Sequence, residues 1–178
     1  MKINIFACIL FSFLINPAFA AETVKVETLP IQIQSEMIKN KFHGFDIFIS
    51  NSGKNPVNIS SIDVKNVVNN ANTVLVSDTM LQLRKLNKLA YAGVVTLGVT
   101  SLIYSSKSSK LIASEKAALS EAATFKTQSN LENMKSEIIM PNKTKSFKIL
   151  IPLNEKPVVE CLLQDTTTNN YINVELKN

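Results

Sequence analysis

The sequence has no tryptophan, one histidine, two cysteines and four glycines among 178 residues, and each scarcity closes off a class of chemistry. With His43 as the only histidine, the one nucleophile–base couple available is Cys161 with His43, and nothing local joins them. A small hydrolase using Cys161 as nucleophile is the weakest of the function classes weighed. Four glycines build no Gly-rich phosphate loop, and neither G-x-S-x-G nor H-E-x-x-H is present. The carboxylates are dispersed, without a D-x-D pair or calcium-loop spacing, so no metal site is expected. The expectation is a chain that is not an enzyme, with no catalytic residues, no cofactor and no small-molecule substrate.

What is present begins with an export signature. Residues 1–20 read MKINIFACILFSFLINPAFA: Lys2 as a basic start, a charge-free apolar run from Ile3 to Leu14, Pro17 as a breaker, and Ala18-Phe19-Ala20 before Ala21. This is the form of a cleavable secretory signal, predicting an exported protein, periplasmic or envelope-associated in a bacterium. Cleavage removes Cys8 and leaves Cys161 alone, so no intrachain disulfide can form. Cys161 alternates with Val159 and Leu163 and reads as a small buried apolar residue.

Both ends of the remaining chain alternate with period two. Val24, Val26, Leu29, Ile31 and Ile33 suggest a strand interrupted near Pro30. Phe45, Ile47 and Ile49 make a second strand. After the turn Asn51–Pro56, Val57, Ile59, Ile62 and Val64 make a third, irregular at Ser60-Ser61. The C-terminal part repeats the pattern. Ile138 to Met140 is followed by a strand with Phe147, Ile149 and Ile151 on one face, then by Val158 to Gln164. A last strand carries Ile172, Val174 and Leu176 on one face. Asparagine is expected to supply most of the turns.

The middle changes character. Val76, Met80, Leu83, Leu86, Ala90, Val94 and Leu97 recur at helical spacing, with Ser77-Asp78 as a helix start. A second helix from Leu111 to Phe125, after a break at Ser105–Ser109, completes a helical hairpin.

These stretches assemble into one architecture: an α+β chain whose antiparallel β-sandwich is split by a helical hairpin insertion containing an apolar helix. The units are a signal peptide (1–20), a first sandwich half (21–70), the insertion (71–132, with its apolar segment at 89–105) and a second half (133–178). The two halves together hold about as many residues as the roughly 100 of an immunoglobulin-like sandwich. The strands Phe45 to Ser52, Val57 to Val64, Ser146 to Ile151 and Val158 to Leu163 resemble bacterial exported immunoglobulin-like domains. The Cys…Trp…Cys mark of antibody domains is absent, and the resemblance covers only the β-rich ends. It implies a binding, assembly or structural module.

Leu89 to Ser105 runs 17 residues without a charge, at the border between a core helix and a membrane span. Three readings stand: a helix buried or docked on another helix, a peripheral or oligomer-inserted helix, and a single span. A span conflicts with a sandwich whose halves lie on either side of it. The net charge of +5 sharpens the site, because residues 79–114 hold five basic residues and no acid, the equivalent of that whole charge.

The functional expectation is a non-enzymatic exported cell-envelope protein whose hairpin meets an anionic membrane surface or partner helices. Homo-oligomerisation is compatible with this, and nucleic acid is not an expected partner. The contact residues are Arg84, Lys85, Lys88, Lys107 and Lys110 for phosphates, with Leu89, Val94, Leu97, Leu102 and Ile103 as the apolar face. The alternative is a secreted effector or toxin-like protein whose hairpin inserts into a target membrane.

Overall fold

Alternating apolar residues make strands whose two faces differ, and here both faces of one sheet find something to pack against. The computed structural model describes residues 23–94 and 100–177, with the side chains of 90–103 and 177 outside that description; the expected signal segment 1–20 lies outside it too. The elements are β1 (Val24–Ile31), α1 (Glu36–Lys39), β2 (Phe42–Asn51), β3 (Val57–Lys65), α2 (Ala71–Val94), α3 (Thr100–Ala122), α4 (Gln128–Glu132), β4 (Ile138–Ile139), β5 (Lys143–Pro152), β6 (Val158–Asp165) and β7 (Tyr171–Lys177).

The strands form two antiparallel sheets, one of order β1-β2-β5 and one of order β4-β3-β6-β7. Each sheet joins strands from both sides of the helices: β2 pairs with β5 from Phe42↔Pro152 to Asn51↔Lys143, and β3 pairs with β6 from Val57↔Asp165 to Lys65↔Val158. One membrane crossing between β3 and β4 would put these hydrogen-bonded partners on opposite sides of a bilayer. The pairing therefore overturns the single-span reading of 89–105. No helix among the described residues is long and apolar enough to cross a membrane.

The alternating positions meet between the sheets. Val24, Val26, Ile47, Ile49, Val57, Ile59, Ile62, Val64, Phe147, Ile149, Ile151, Val159, Cys161 and Leu163 are all buried in one cluster, and Leu131 of α4 and Met134 join it. The register slip foreseen at Ser60-Ser61 falls between Ile59 and Ser61 and keeps Ile62 and Val64 facing inward on the same side as Ile59. Positive φ occurs at Asn66, Asn142 and Asn169, with Ser136 as a further case, so asparagine does supply most of the left-handed turns among the described non-glycine residues.

The outer face of the three-stranded sheet is covered by helices. Ile33, Ile38, Phe42 and Leu150 are buried there with Ala71 and Leu75 of α2, Ala118 and Ala122 of α3, and Phe125. This layer corrects the reading of β1, which runs unbroken through Pro30. The apolar residues change parity because the buried face changes. Val24 and Val26 point between the sheets, while Ile31 and Ile33 point to the helices.

The hairpin is present with different boundaries. α2 begins at Ala71 rather than at Ser77-Asp78, and Asp78 lies inside the helix. The missed signal is Asn70, whose carbonyl accepts the Val74 N–H at 3.1 Å and which is a favoured residue for a helix start. α3 runs through Ser105–Ser109 without the expected break and ends at Ala122. Two of its serines satisfy their hydroxyls within the helix, Ser108 Oγ donating to Ser105 O at 3.0 Å and Ser114 Oγ to Lys110 O at 2.9 Å.

Candidate membrane and partner-contact surface

The root of the hairpin is fixed to the body by packing and by polar ties. Ala71, Leu75 and Thr79 form the buried row of α2 at i, i+4, i+8 spacing, in place of the expected stripe through Val76 and Met80, which are 39% and 54% exposed. Thr79 escapes a hydropathy reading, yet its hydroxyl donates to Leu75 O at 3.1 Å, which satisfies it inside the protein. Lys41 pairs with Asp78 at 3.6 Å, and Glu121 accepts the backbone N–H groups of Gln34 and Ser35. The root also seals the sheet edge: Val68 N donates to Leu150 O at 2.8 Å and Lys126 N to Lys148 O at 2.7 Å, occupying the free side of β5.

Beyond this root the helices leave the core. No described residue from Met80 to Ala117 belongs to a buried cluster. Between Met80 and Ala117 the partly buried described residues are Leu83 and Leu86 of α2 and Tyr104, Ser108, Leu111 and Glu115 of α3, a thin seam with polar members on the α3 side. At 1.5 Å per residue, Leu89 stands about 15 Å beyond Thr79. It is 69% exposed, the most exposed of the large described apolar residues.

Charge divides along the same line. The described ion pairs are Lys25–Glu27, Lys39–Glu36, Lys41–Asp78, Lys65–Glu160 and Lys145–Glu137, on the sheet body, within α1 or at the hairpin root. None includes Arg84, Lys85, Lys88, Lys107 or Lys110, and all five of these are exposed. The nearest N-terminal acid, Asp78, is occupied by Lys41 and by Gln82 Nε2 at 3.0 Å.

Of the ten residues singled out in the sequence, four come together. Lys85 and Leu89 of α2 and Lys107 and Lys110 of α3 line one groove of about 420 Å³ with Gln82, Leu86, Leu111 and Ser114. The pairing of 82–89 with 107–114 shows that the helices run antiparallel. Arg84 and Lys88 are exposed on α2 but do not line this groove. The side chains of Val94, Leu97, Leu102 and Ile103 lie outside the described residues. Gln82 and Ser114 were missed, although each follows from a lysine at helical spacing, three residues before Lys85 and four after Lys110.

Cys161 and His43 lie in different sheets and are not brought together as a nucleophile–base couple. Cys161 is fully buried between the sheets, and this burial pushes its thiol up to about 12, which keeps it protonated at neutral pH. His43 is exposed near the end of the other sheet. No cluster of three or more potential metal ligands occurs among the described residues.

Comparison with protein-family models, with curated proteins and with solved structures finds no match to this chain.

Proposed function

We propose that this is a non-enzymatic exported protein of the cell envelope, in which the two-sheet body is an immunoglobulin-like binding or structural module and the hairpin attaches it to an anionic membrane surface. Lettered in chain order as A, B, C, C′, E, F and G, the strands give sheets A-B-E and C′-C-F-G, and the neighbours B–E, C–F and F–G are those of the immunoglobulin arrangement. Export rests on the signal-like residues 1–20.

One observation carries the attachment reading: every basic residue between Thr79 and Ser114 lacks an ion pair among the described residues, on an arm that also exposes Leu81, Leu89 and Ile112. Cations near an anionic surface contribute about 1 kcal/mol each, and exposed leucines add burial at the headgroup boundary. Flotation of the exported protein with vesicles tests it. It is expected to rise with vesicles containing phosphatidylglycerol, to stay down with pure phosphatidylcholine, and to detach as salt is raised. Lys107→Glu with Lys110→Glu, or Leu89→Asp, is expected to abolish flotation. Recovery of the unaltered protein in the bottom fraction with both vesicle types rejects the proposal. Retention of an entrapped dye separates surface attachment from insertion of the hairpin.

A further inference from the structure

We propose that the groove between α2 and α3 seats a single anionic phospholipid, its phosphate held by Lys85, Lys107 and Lys110 and its glycerol and first acyl methylenes lying on Leu86, Leu89 and Leu111. This deepens the attachment reading and rests on it. The three ammonium groups come from both helices, no acid lines the groove, and none of the three is in an ion pair among the described residues. Of the other polar side chains of the lining, Ser114 spends its hydroxyl hydrogen on the Lys110 carbonyl and Gln82 spends one of its two amide hydrogens on Asp78, so the lysines are the charged donors open to a ligand. A phosphodiester supplies the charge they lack.

The leucines decide between a lipid and a free phosphate. An inorganic ion would gain nothing from Leu86, Leu89 and Leu111, whereas an acyl chain would cover them. Lysine stems suit this division, because their methylenes can follow the chain while the ammonium reaches the headgroup. The space of about 420 Å³ lies within the range of ligand sites and matches a headgroup with the start of its chains. A lipid seated there would also bridge α2 to α3.

The test uses the exported protein and a soluble short-chain lipid, dihexanoylphosphatidylglycerol, below its critical micelle concentration, with binding followed by titration calorimetry and amide NMR shifts. The expected result is saturation at one lipid per chain, with amide shifts centred on residues 82–89 and 107–114. Dihexanoylphosphatidylcholine and glycerol 3-phosphate are expected to bind at least tenfold more weakly. Lys107→Ala, Lys110→Ala and Lys85→Ala should each weaken binding about fivefold. Arg84→Ala and Lys88→Ala, which lie outside the groove, should weaken it less than Lys107→Ala does, and Lys143→Gln on the sheet body should leave it within twofold. All these positions are exposed, and an unchanged circular dichroism spectrum verifies each fold.

Equal binding of glycerol 3-phosphate or of the choline lipid overturns the proposal, the first by making it an ion site and the second an apolar crevice. Equal losses at Lys88 and Lys107 overturn it in favour of a diffuse field. If vesicle flotation persists while the short-chain lipid never saturates, the groove falls and the attachment reading stands. If flotation fails as well, both fall.

Discussion

The backbone N–H of Ser35 donates to Oε2 of Glu121 at 2.7 Å, while the adjacent N–H of Gln34 donates to Oε1 at 2.8 Å. One carboxylate on α3 thereby satisfies two consecutive amides in the β1–α1 connection and fixes the angle at which the hairpin leaves the sheets. Hydrogen bonds to charged groups contribute about 1.5–3 kcal/mol, and partial exposure places this pair at the low end. Glu121→Ala is expected to cost about 1.5 kcal/mol in urea unfolding and to speed hydrogen exchange at Gln34 and Ser35. Glu121→Gln, which keeps one acceptor, should cost about half as much.

Asn51 is 1% exposed and organises the β2–β3 turn from inside. Its Nδ2 donates to Asn55 O at 2.9 Å and Ile139 O at 3.0 Å, and its Oδ1 accepts from Gly53 N at 2.9 Å. Asn51→Ala leaves buried carbonyls without a donor and should lower stability by about 2–3 kcal/mol, seen as a lower urea midpoint at unchanged slope. Asn51→Asp is expected to be no better at neutral pH, because it faces those same carbonyls with an anion.

Cys161 gives a pH prediction with a definite sign. Its folded thiol ionises near 12 against an ordinary value of 9.0, so between these pH values the unfolded chain has lost a proton that the native chain keeps. Stability contributed by the protonated thiol is complete below pH 9 and drains away as pH rises towards 12, at up to about 1.4 kcal/mol per pH unit. Cys161→Ala should remove this alkaline component while lowering stability at pH 7 through the cavity it opens. In the native protein the thiol should resist a disulfide-forming reagent until urea unfolds the chain.

Gly44 marks a close approach on the helix-covered face of the three-stranded sheet. A Cβ there would sit 2.8 Å from Cγ1 of Ile31 and 3.2 Å from Cγ1 of Ile33. Gly44→Ala is expected to cost about 1–2 kcal/mol by overpacking, and less when Ile31→Ala makes room. A thermal-unfolding double-mutant cycle measures that relief.

The sheets were legible because period-two alternation reports directly on which face is buried. Phe147, Ile149 and Ile151, like Val159, Cys161 and Leu163, needed no more than that. Leu150 and Phe42 were opaque for the converse reason: Leu150 sits between the inward-facing Ile149 and Ile151, Phe42 sits beside the exposed His43, and both are buried by helices whose packing no local pattern reveals. On α2, hydropathy favoured Val76 and Met80 over Thr79, although a threonine that bonds its own helix packs as well as an aliphatic residue. The basic side of the contact surface was legible as a run free of acids. Its convergence into a groove was not, since the groove depends on antiparallel registry of 82–89 with 107–114.

The hydrogen bonds from Val68 and Lys126 to β5 bear on whether the helices are a removable part. Excising them would strip one sheet of its cover, uncover Phe42 and Leu150, and bare a strand edge able to recruit another chain. The arm is thus structurally indispensable at its base and free to vary at its far end. Substitutions that retarget the distal surface can accumulate without disturbing the fold, whereas amputation would yield an aggregating remnant rather than a soluble sandwich.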